Sequence, residues 1–283
     1  MKIQELLELG KNELSVLEEG ALEARLLLEY TLDCDHHYII LNGEERLEDD
    51  LIDRYITCIQ ERKANKPIQY IMGLHGFYNL VLKVTTDTLI PRQETEILVE
   101  FILENIQDTD KLLMDIGTGT GCIPIAICNE KPAINAVGVD ISKEALEVAT
   151  YNSSMYELEE QITFINSNLF AGIDSSYYDT VDILVSNPPY IPTEVIRTLD
   201  AQVKDYEPLL ALDGGDDGLD YYKLISKEAK RYLADQGLIV FEVGHDQGEA
   251  VIQILKAYGY TSPGMIQDLS GVYRVVYATM NKI

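Results

Sequence analysis

Leu112-Leu113-Met114-Asp115-Ile116-Gly117-Thr118-Gly119-Thr120-Gly121 sets a short apolar run against three glycines at alternate positions. A run of this length with almost no polar break reads as a strand buried on both faces, as parallel sheets require. The glycines stop the strand and let the backbone pass close to a ligand where a Cβ would stand in the way. The turn lies between a first strand and a helix opening near Cys122, the place where open α/β sheets bind nucleotides. A dinucleotide fingerprint would carry its third glycine one residue later, where this chain has Cys122. A pyrophosphate cradle is therefore disfavoured, and an adenosine cofactor without phosphates fits better.

Outward from this turn the chain alternates between strand and helix. Residues 112–116, 136–140, 162–166, 181–186 and 238–243 read as short apolar strands, separated by helical stretches such as 143–151 and 248–258. Such alternation predicts a doubly wound parallel sheet with helices on both faces. The run 273–278 follows a loop instead of a helix and is expected to close the sheet as an antiparallel strand, the layout of class I methyltransferases. Toward the N-terminus, Ile52, Tyr55, Ile56 and Ile59 fall at helical spacing, and residues 22–28 form a leucine-rich face. The chain thus divides into a helical domain over 1–75, a β-hairpin connector over 76–93, and an α/β domain over 94–283; if the last holds the chemistry, the first is expected to be a substrate-docking domain.

Two further features bear on chemistry. Asp140 ends the second strand about 20 residues past the glycines, where a carboxylate takes hydrogen bonds from ribose hydroxyls; taken alone it also fits a helix N-cap. Asn168 and Leu169 follow the third strand, where an adenine-contacting loop is expected. Asn187-Pro188-Pro189-Tyr190 follows the fourth. The Asn side-chain carbonyl and the backbone carbonyl of Pro188 are acceptors for a planar NH2 group, and prolines withhold competing donors while fixing the chain direction. Tyr190 is expected to stack on the group so held, and Phe77 to close the pocket or to serve as a core residue. Together the two strand-end motifs point to methyl transfer to an amide or amino nitrogen.

Composition narrows the partners. With 22 basic against 48 acidic residues the formal charge is −26. A polyanion gains nothing from counterion release on nucleic acid, so neither DNA nor RNA is expected as substrate. Arg62, Lys63 and Lys66 form the one dense basic cluster, which reads as a solvated helix end. Cys34, Cys58, Cys122 and Cys128 show no CxxC pair, and the four histidines no zinc spacing, so reduced thiols and no metal are expected. No signal peptide or membrane span is legible, which points to a cytoplasmic protein.

From about residue 21 onward the chain resembles the peptide chain release factor N5-glutamine methyltransferases, the PrmC/HemK family. The resemblance rests on five blocks in order: residues 66–73 with Phe77, residues 90–96 (similar to the family's PRPETE element), Asp115 to Gly121, Asn187 to Tyr190, and residues 206–219. Gln93 replaces the family's usual proline, and Asn168 stands where an acid is common. The resemblance implies S-adenosylmethionine as methyl donor, held by Asp115, Gly117, Thr118, Gly119, Thr120, Gly121, Asp140, Asn168, Leu169 and Asn187. As substrate it implies the glutamine of the Gly-Gly-Gln loop of class I release factors, gripped by Asn187, Pro188, Pro189 and Tyr190, with Phe77 beside them. Arg92, Glu94 and Glu207 are expected to hold the cleft between the domains. Two alternatives remain: an adenine-N6 methyltransferase, which uses the same grip on an exocyclic NH2, and a non-catalytic binding module that kept the fold.

Overall fold

The computed structural model describes residues 1–282. They form two compact units, Met1–Leu74 with Asp200–Tyr206, and His75–Leu199 with residues 207–282.

The first unit is helical: α1 (Ile3–Glu13), α2 (Gly20–Leu32), α3 (His36–Leu41), α4 (Asp49–Lys63) and α5 (Ile68–Met72). Leu6, Leu27, Leu28, Tyr55 and Ile59 make its core. Tyr55 is wholly buried and donates its hydroxyl to the Ala24 carbonyl at 3.0 Å. Gly10 makes room for that hydroxyl, since a Cβ there would lie 1.9 Å from it. The basic cluster is spent inside this unit: Arg62 is buried against Glu23 at 2.8 Å, Lys63 meets Glu13 at 2.7 Å, and Lys66 meets Glu61 at 3.1 Å. The expected solvated helix end therefore holds at its centre a buried ion pair.

The second unit begins at His75, within the hairpin of β1 (Leu74–Phe77) and β2 (Leu80–Lys83), followed by α6 (Gln93–Asn105). Then come β3 (Leu112–Ile116), α7 (Cys122–Glu130), β4 (Asn135–Asp140), α8 (Lys143–Met155), β5 (Ile162–Asn166) and β6 (Val181–Ser186). Two short helices follow, α9 (Thr193–Ile196) and α10 (Ala201–Lys204), the latter belonging to the first unit, and then α11 (Asp220–Ala229). The chain ends with β7 (Leu233–Glu242), α12 (Gly248–Ala257), β8 (Thr261–Gln267) and β9 (Tyr273–Thr279).

These seven longer strands form one sheet in the order β5-β4-β3-β6-β7-β9-β8, parallel from β5 to β7. As the sequence predicts, β9 runs antiparallel to β7, with Val240 opposite Tyr277, but β8 and not β9 forms the edge of the sheet. Alternate residues of each strand enter opposite cores. Leu113, Ala136, Val185 and Val240 pack under α6 and α7, whereas Met114, Val137, Leu184 and Phe241 pack under α11 and α12. Strand β3 lies between β4 and β6, so the order reverses there and a crevice opens beyond the strand ends.

Two elements lie outside the expected pattern. Strand β8 pairs with β9 although it contains Pro263 and Gly264, a composition that only an edge strand tolerates. Gly264 is needed there because a Cβ would strike the Tyr277 ring at 2.3 Å. Helix α11 buries Tyr222, Ile225, Ser226 and Ala229, a helical spacing present in the sequence but broken up by polar neighbours.

Candidate active site

Four strand ends meet around one cavity of about 280 Å³ in the second unit, lined among others by Gly117, Asp140, Leu169, Asn187 and Thr95. Behind β3, the amides of Gly117 and Thr118 both donate to the Val139 carbonyl, at 2.8 and 3.0 Å, and the Gly121 amide donates to the Thr118 carbonyl at 2.8 Å. Gly117 and Gly119 sit at φ 80° and 53°, and a Cβ on either would point into open space. The loop is thus a bare-backbone cradle facing the cavity, a conformation that costs a side-chain-bearing residue about 1–2 kcal/mol.

Asp140 holds this cradle. One oxygen accepts from the Gly119 amide at 2.8 Å and the other from the Ser142 amide at 2.9 Å. The N-cap of α8 is Ser142, whose hydroxyl accepts from the Ala145 amide, so Asp140 is free of that duty. Burial pushes the Asp140 carboxyl above its ordinary value, with the backbone donors pulling the other way.

Asn168 and Leu169 line the cavity beyond β5, and Thr118 and Thr120 join the glycines along the β3 side. Asp115 does not line it. The side chain is wholly buried one layer behind, neither oxygen has a hydrogen-bond partner among the described residues, and burial raises the carboxyl to about 7, opposed only by the nearby Thr118 hydroxyl. Gly121 likewise stands behind the wall; a Cβ there would meet Ile125 at 3.0 Å and Ala149 at 3.2 Å. The bare cradle, the carboxylate beside it and the largely apolar surround fit an adenosine cofactor that carries cationic groups and no phosphate.

Asn187, Pro188 and Pro189 border the same cavity beyond β6. The Ser186 hydroxyl donates to the Ile116 carbonyl, which pins the end of β6 to the end of β3 just before the two motifs diverge. The Asn187 Nδ2 donates to the Thr95 hydroxyl at 3.2 Å, and among the described residues no donor meets Oδ1. A cavity-lining side chain is left with its acceptor free.

Tyr190 differs from expectation. Its ring turns from the cavity into the core beside Gly244, and its hydroxyl donates to Glu242 at 3.4 Å. The backbone carbonyl of Tyr190 accepts from Gln247 at 2.9 Å, which anchors the tetrapeptide from behind. Phe77, 1% exposed, packs in the α6/α7 core and does not border the cavity, because the hairpin presents it inward with Leu80 and Leu82. Arg92 meets Glu207 at 2.6 Å and Arg274 approaches Glu94 at 3.5 Å. All four belong to the second unit, so these pairs are internal to it rather than a clasp between domains.

Sequence reading missed Thr95, Asn152 and Glu242. Asn152, 1% exposed on α8, donates to the carbonyls of Thr120 and Lys83, each at 3.0 Å, and accepts from the Lys83 amide at 2.8 Å. One buried side chain thereby ties the glycine loop to the hairpin. Its signal, a polar residue at a core position of a helix, was present in the sequence.

Comparison with known proteins agrees with this geometry. Residues 5–73 match the family model of the PrmC N-terminal domain, and residues 92–203 that of the methyltransferase small domain. The chain is similar to the release factor glutamine methyltransferase of Caulobacter vibrioides, 35% identical with 94% of this chain and 92% of the relative covered. It is also similar to that of Clostridium acetobutylicum, 37% identical over 90% of each. A solved methyltransferase from Pyrococcus furiosus shares the fold at a TM-score of 0.53 and 17% identity, over 80% of this chain and 98% of the other. On these grounds the chain belongs to the release factor glutamine methyltransferase family.

Proposed function

We propose that this chain transfers a methyl group from S-adenosylmethionine to the side-chain amide nitrogen of the glutamine in the Gly-Gly-Gln motif of class I peptide chain release factors. The observation that carries the reading is that Asn187, with Oδ1 free, borders the same cavity as the bare Gly117–Gly119 cradle. Gly117, Thr118, Gly119, Thr120, Asp140, Asn168, Leu169 and Asn187 would hold the cofactor, with Asp115 and Gly121 supporting the loop from behind. When bound, S-adenosylmethionine supplies an electrophilic methyl on a sulfonium.

The remaining work falls to the chain's own groups. A primary amide nitrogen is a poor nucleophile because its lone pair is delocalised into the carbonyl. Asn187 Oδ1 and the Pro188 carbonyl each accept one N–H of the substrate carboxamide, which aims the nitrogen and weakens that delocalisation. Asn187 cannot take up a proton at neutral pH, so it positions and polarises and is not a general base. The proton leaves to solvent after transfer, when the nitrogen has become strongly acidic. A net gain of about 0.5–1.5 kcal/mol per hydrogen bond is too small to explain such catalysis. Orientation, worth roughly 7–11 kcal/mol in well-aligned reactions, carries most of it.

The first unit would dock the release factor, since a three-residue loop is too small to confer specificity alone. Neither nucleic acid nor membrane enters this reading, and the enzyme acts in the cytoplasm. Unpaired thiols at Cys34, Cys58, Cys122 and Cys128, and a basic cluster spent on internal ion pairs, support it. Among the described residues no helix is long and apolar enough to cross a membrane. The test is mass spectrometry of a class I release factor after incubation with enzyme and methyl donor. One added methyl on the loop glutamine is expected; methylation elsewhere or none counts against the reading.

A further inference from the structure

Behind Asn187 runs a buried polar chain that has no part in the mechanism described above. The Thr95 hydroxyl, on α6, donates to Glu242 Oε2 at 2.6 Å and accepts from Asn187 Nδ2 at 3.2 Å. Tyr190 donates to the other oxygen of Glu242 at 3.4 Å. Thr95 is 2% exposed and Glu242 1%. We propose that Glu242 and Thr95 are positioning residues that fix the Asn187 carboxamide with its oxygen, and not its NH2, turned to the substrate. This rests on the role given to Asn187 above.

The number of available protons decides the orientation. A hydroxyl has one proton. Once Thr95 commits it to the carboxylate, its oxygen is only an acceptor on the side facing Asn187, and the NH2 must meet it. A flipped carboxamide would set oxygen against oxygen and would offer the substrate a donor where its own N–H needs an acceptor. Nothing in an isolated Asn side chain distinguishes the two orientations, so the selection has to come from the second residue in the chain. The carboxylate that makes it is costly. Among the described residues no arginine or lysine bonds to Glu242: Arg274, the cation that acts on it, is engaged with Asp268 at 2.9 Å. An apolar residue of similar size would pack there without that cost.

The same chain ties orientation to protonation. Burial raises Glu242 to about 7, Glu94 adding to the rise while Thr95, Tyr190 and Arg274 oppose it; the Tyr222 and Cys122 side chains also face it. A protonated Glu242 donates toward Thr95, whose freed hydroxyl proton can then point at Asn187 and reverse its carboxamide. Turnover therefore falls as the pH drops through that midpoint.

Five proteins, each the whole 283-residue chain, test this: wild type, Thr95→Val, Thr95→Ser, Glu242→Gln and Asn187→Ala. Thr95→Val removes the acceptor at nearly constant volume and should lower single-turnover methylation of a release factor by roughly tenfold to a hundredfold, the range for a misoriented reacting group. Thr95→Ser restores the hydroxyl and should recover most of that loss. Glu242→Gln can still accept from Thr95 but no longer titrates, so the acid limb of the pH profile should vanish. An independent readout is the Asn187 side-chain amide resonance in cofactor-free protein, which should shift with a midpoint near 7 in wild type and stay constant in Glu242→Gln. Full activity of Thr95→Val beside an inactive Asn187→Ala, or an Asn187 signal that ignores pH, overturns the relay alone. A wild-type enzyme that leaves the release factor unmethylated overturns the functional reading beneath it.

Discussion

The Asp140 carboxylate accepts the Gly119 amide proton at 2.8 Å, so the acid ending β4 holds the turn that follows the neighbouring strand β3. One side chain thereby shapes the cradle and borders the cavity, and the two duties cannot be separated by mutation to a small residue. Asp140→Ala should weaken S-adenosylmethionine binding roughly tenfold or more, the scale of losing a charged hydrogen bond. Calorimetry on folded protein measures it. Affinity equal to wild type would remove Asp140 from the cofactor site.

Asp115 imposes a pH dependence on the ligand-free protein. Its folded value of about 7 lies above the ordinary 3.8, so the group binds its proton more tightly in the folded state. The stability it contributes is complete below the ordinary value and is lost as pH rises through about 7. Asp115→Asn should therefore be more stable than wild type at pH 8 by about 2–4 kcal/mol and unfold at higher temperature, with the difference shrinking in mild acid. Parallel thermal melts across pH decide it.

Arg92 covers a carboxylate that is otherwise sealed in. One guanidinium nitrogen reaches both oxygens of Glu207, at 2.6 and 2.7 Å, and the Glu207 side chain is 1% exposed. Burial still raises the Glu207 carboxyl despite that partner. Arg92→Ala should cost about 1–3 kcal/mol, the penalty of an orphaned buried acceptor. Adding Glu207→Gln to it should return part of the loss. Urea unfolding of the two single variants and the double variant measures the coupling.

Gly121 ends the cofactor turn at φ 77°, with Ile125 and Ala149 where a Cβ would go. Gly121→Ala should destabilise by about 1–2 kcal/mol from backbone strain alone, with further cost from the contact. A melting temperature equal to wild type would show that the turn relaxes freely.

What the sequence made legible follows the strength of local signals. The run 112–116 and its glycines are strong signals: an apolar segment buried on both faces has few alternatives, and positive φ at Gly117 and Gly119 is what glycine permits. Strand β8 was illegible because an edge strand needs neither alternation nor β-branched residues, and Pro263 argued against it. Within the site, Asn187 and Asp140 stand beside their motifs and were found with them. Thr95 and Glu242 were missed because they are 147 residues apart and meet only through the packing of α6 against β7. Aromatic residues near a motif suit stacking and burial equally, so the sequence points Tyr190 to the pocket and leaves Phe77 open between pocket and core, and only the fold shows that both rings enter the core.

In the proposed mechanism Asn187 orients the accepting amide inside the cavity that binds the methyl donor. Comparing wild type with Asn187→Ala, by calorimetry with S-adenosylmethionine and by single-turnover methylation of a class I release factor, tests it most directly. Retained cofactor binding with transfer reduced by a factor of about a thousand or more is expected, since orientation supplies most of the rate. Transfer at the wild-type rate in Asn187→Ala would contradict it.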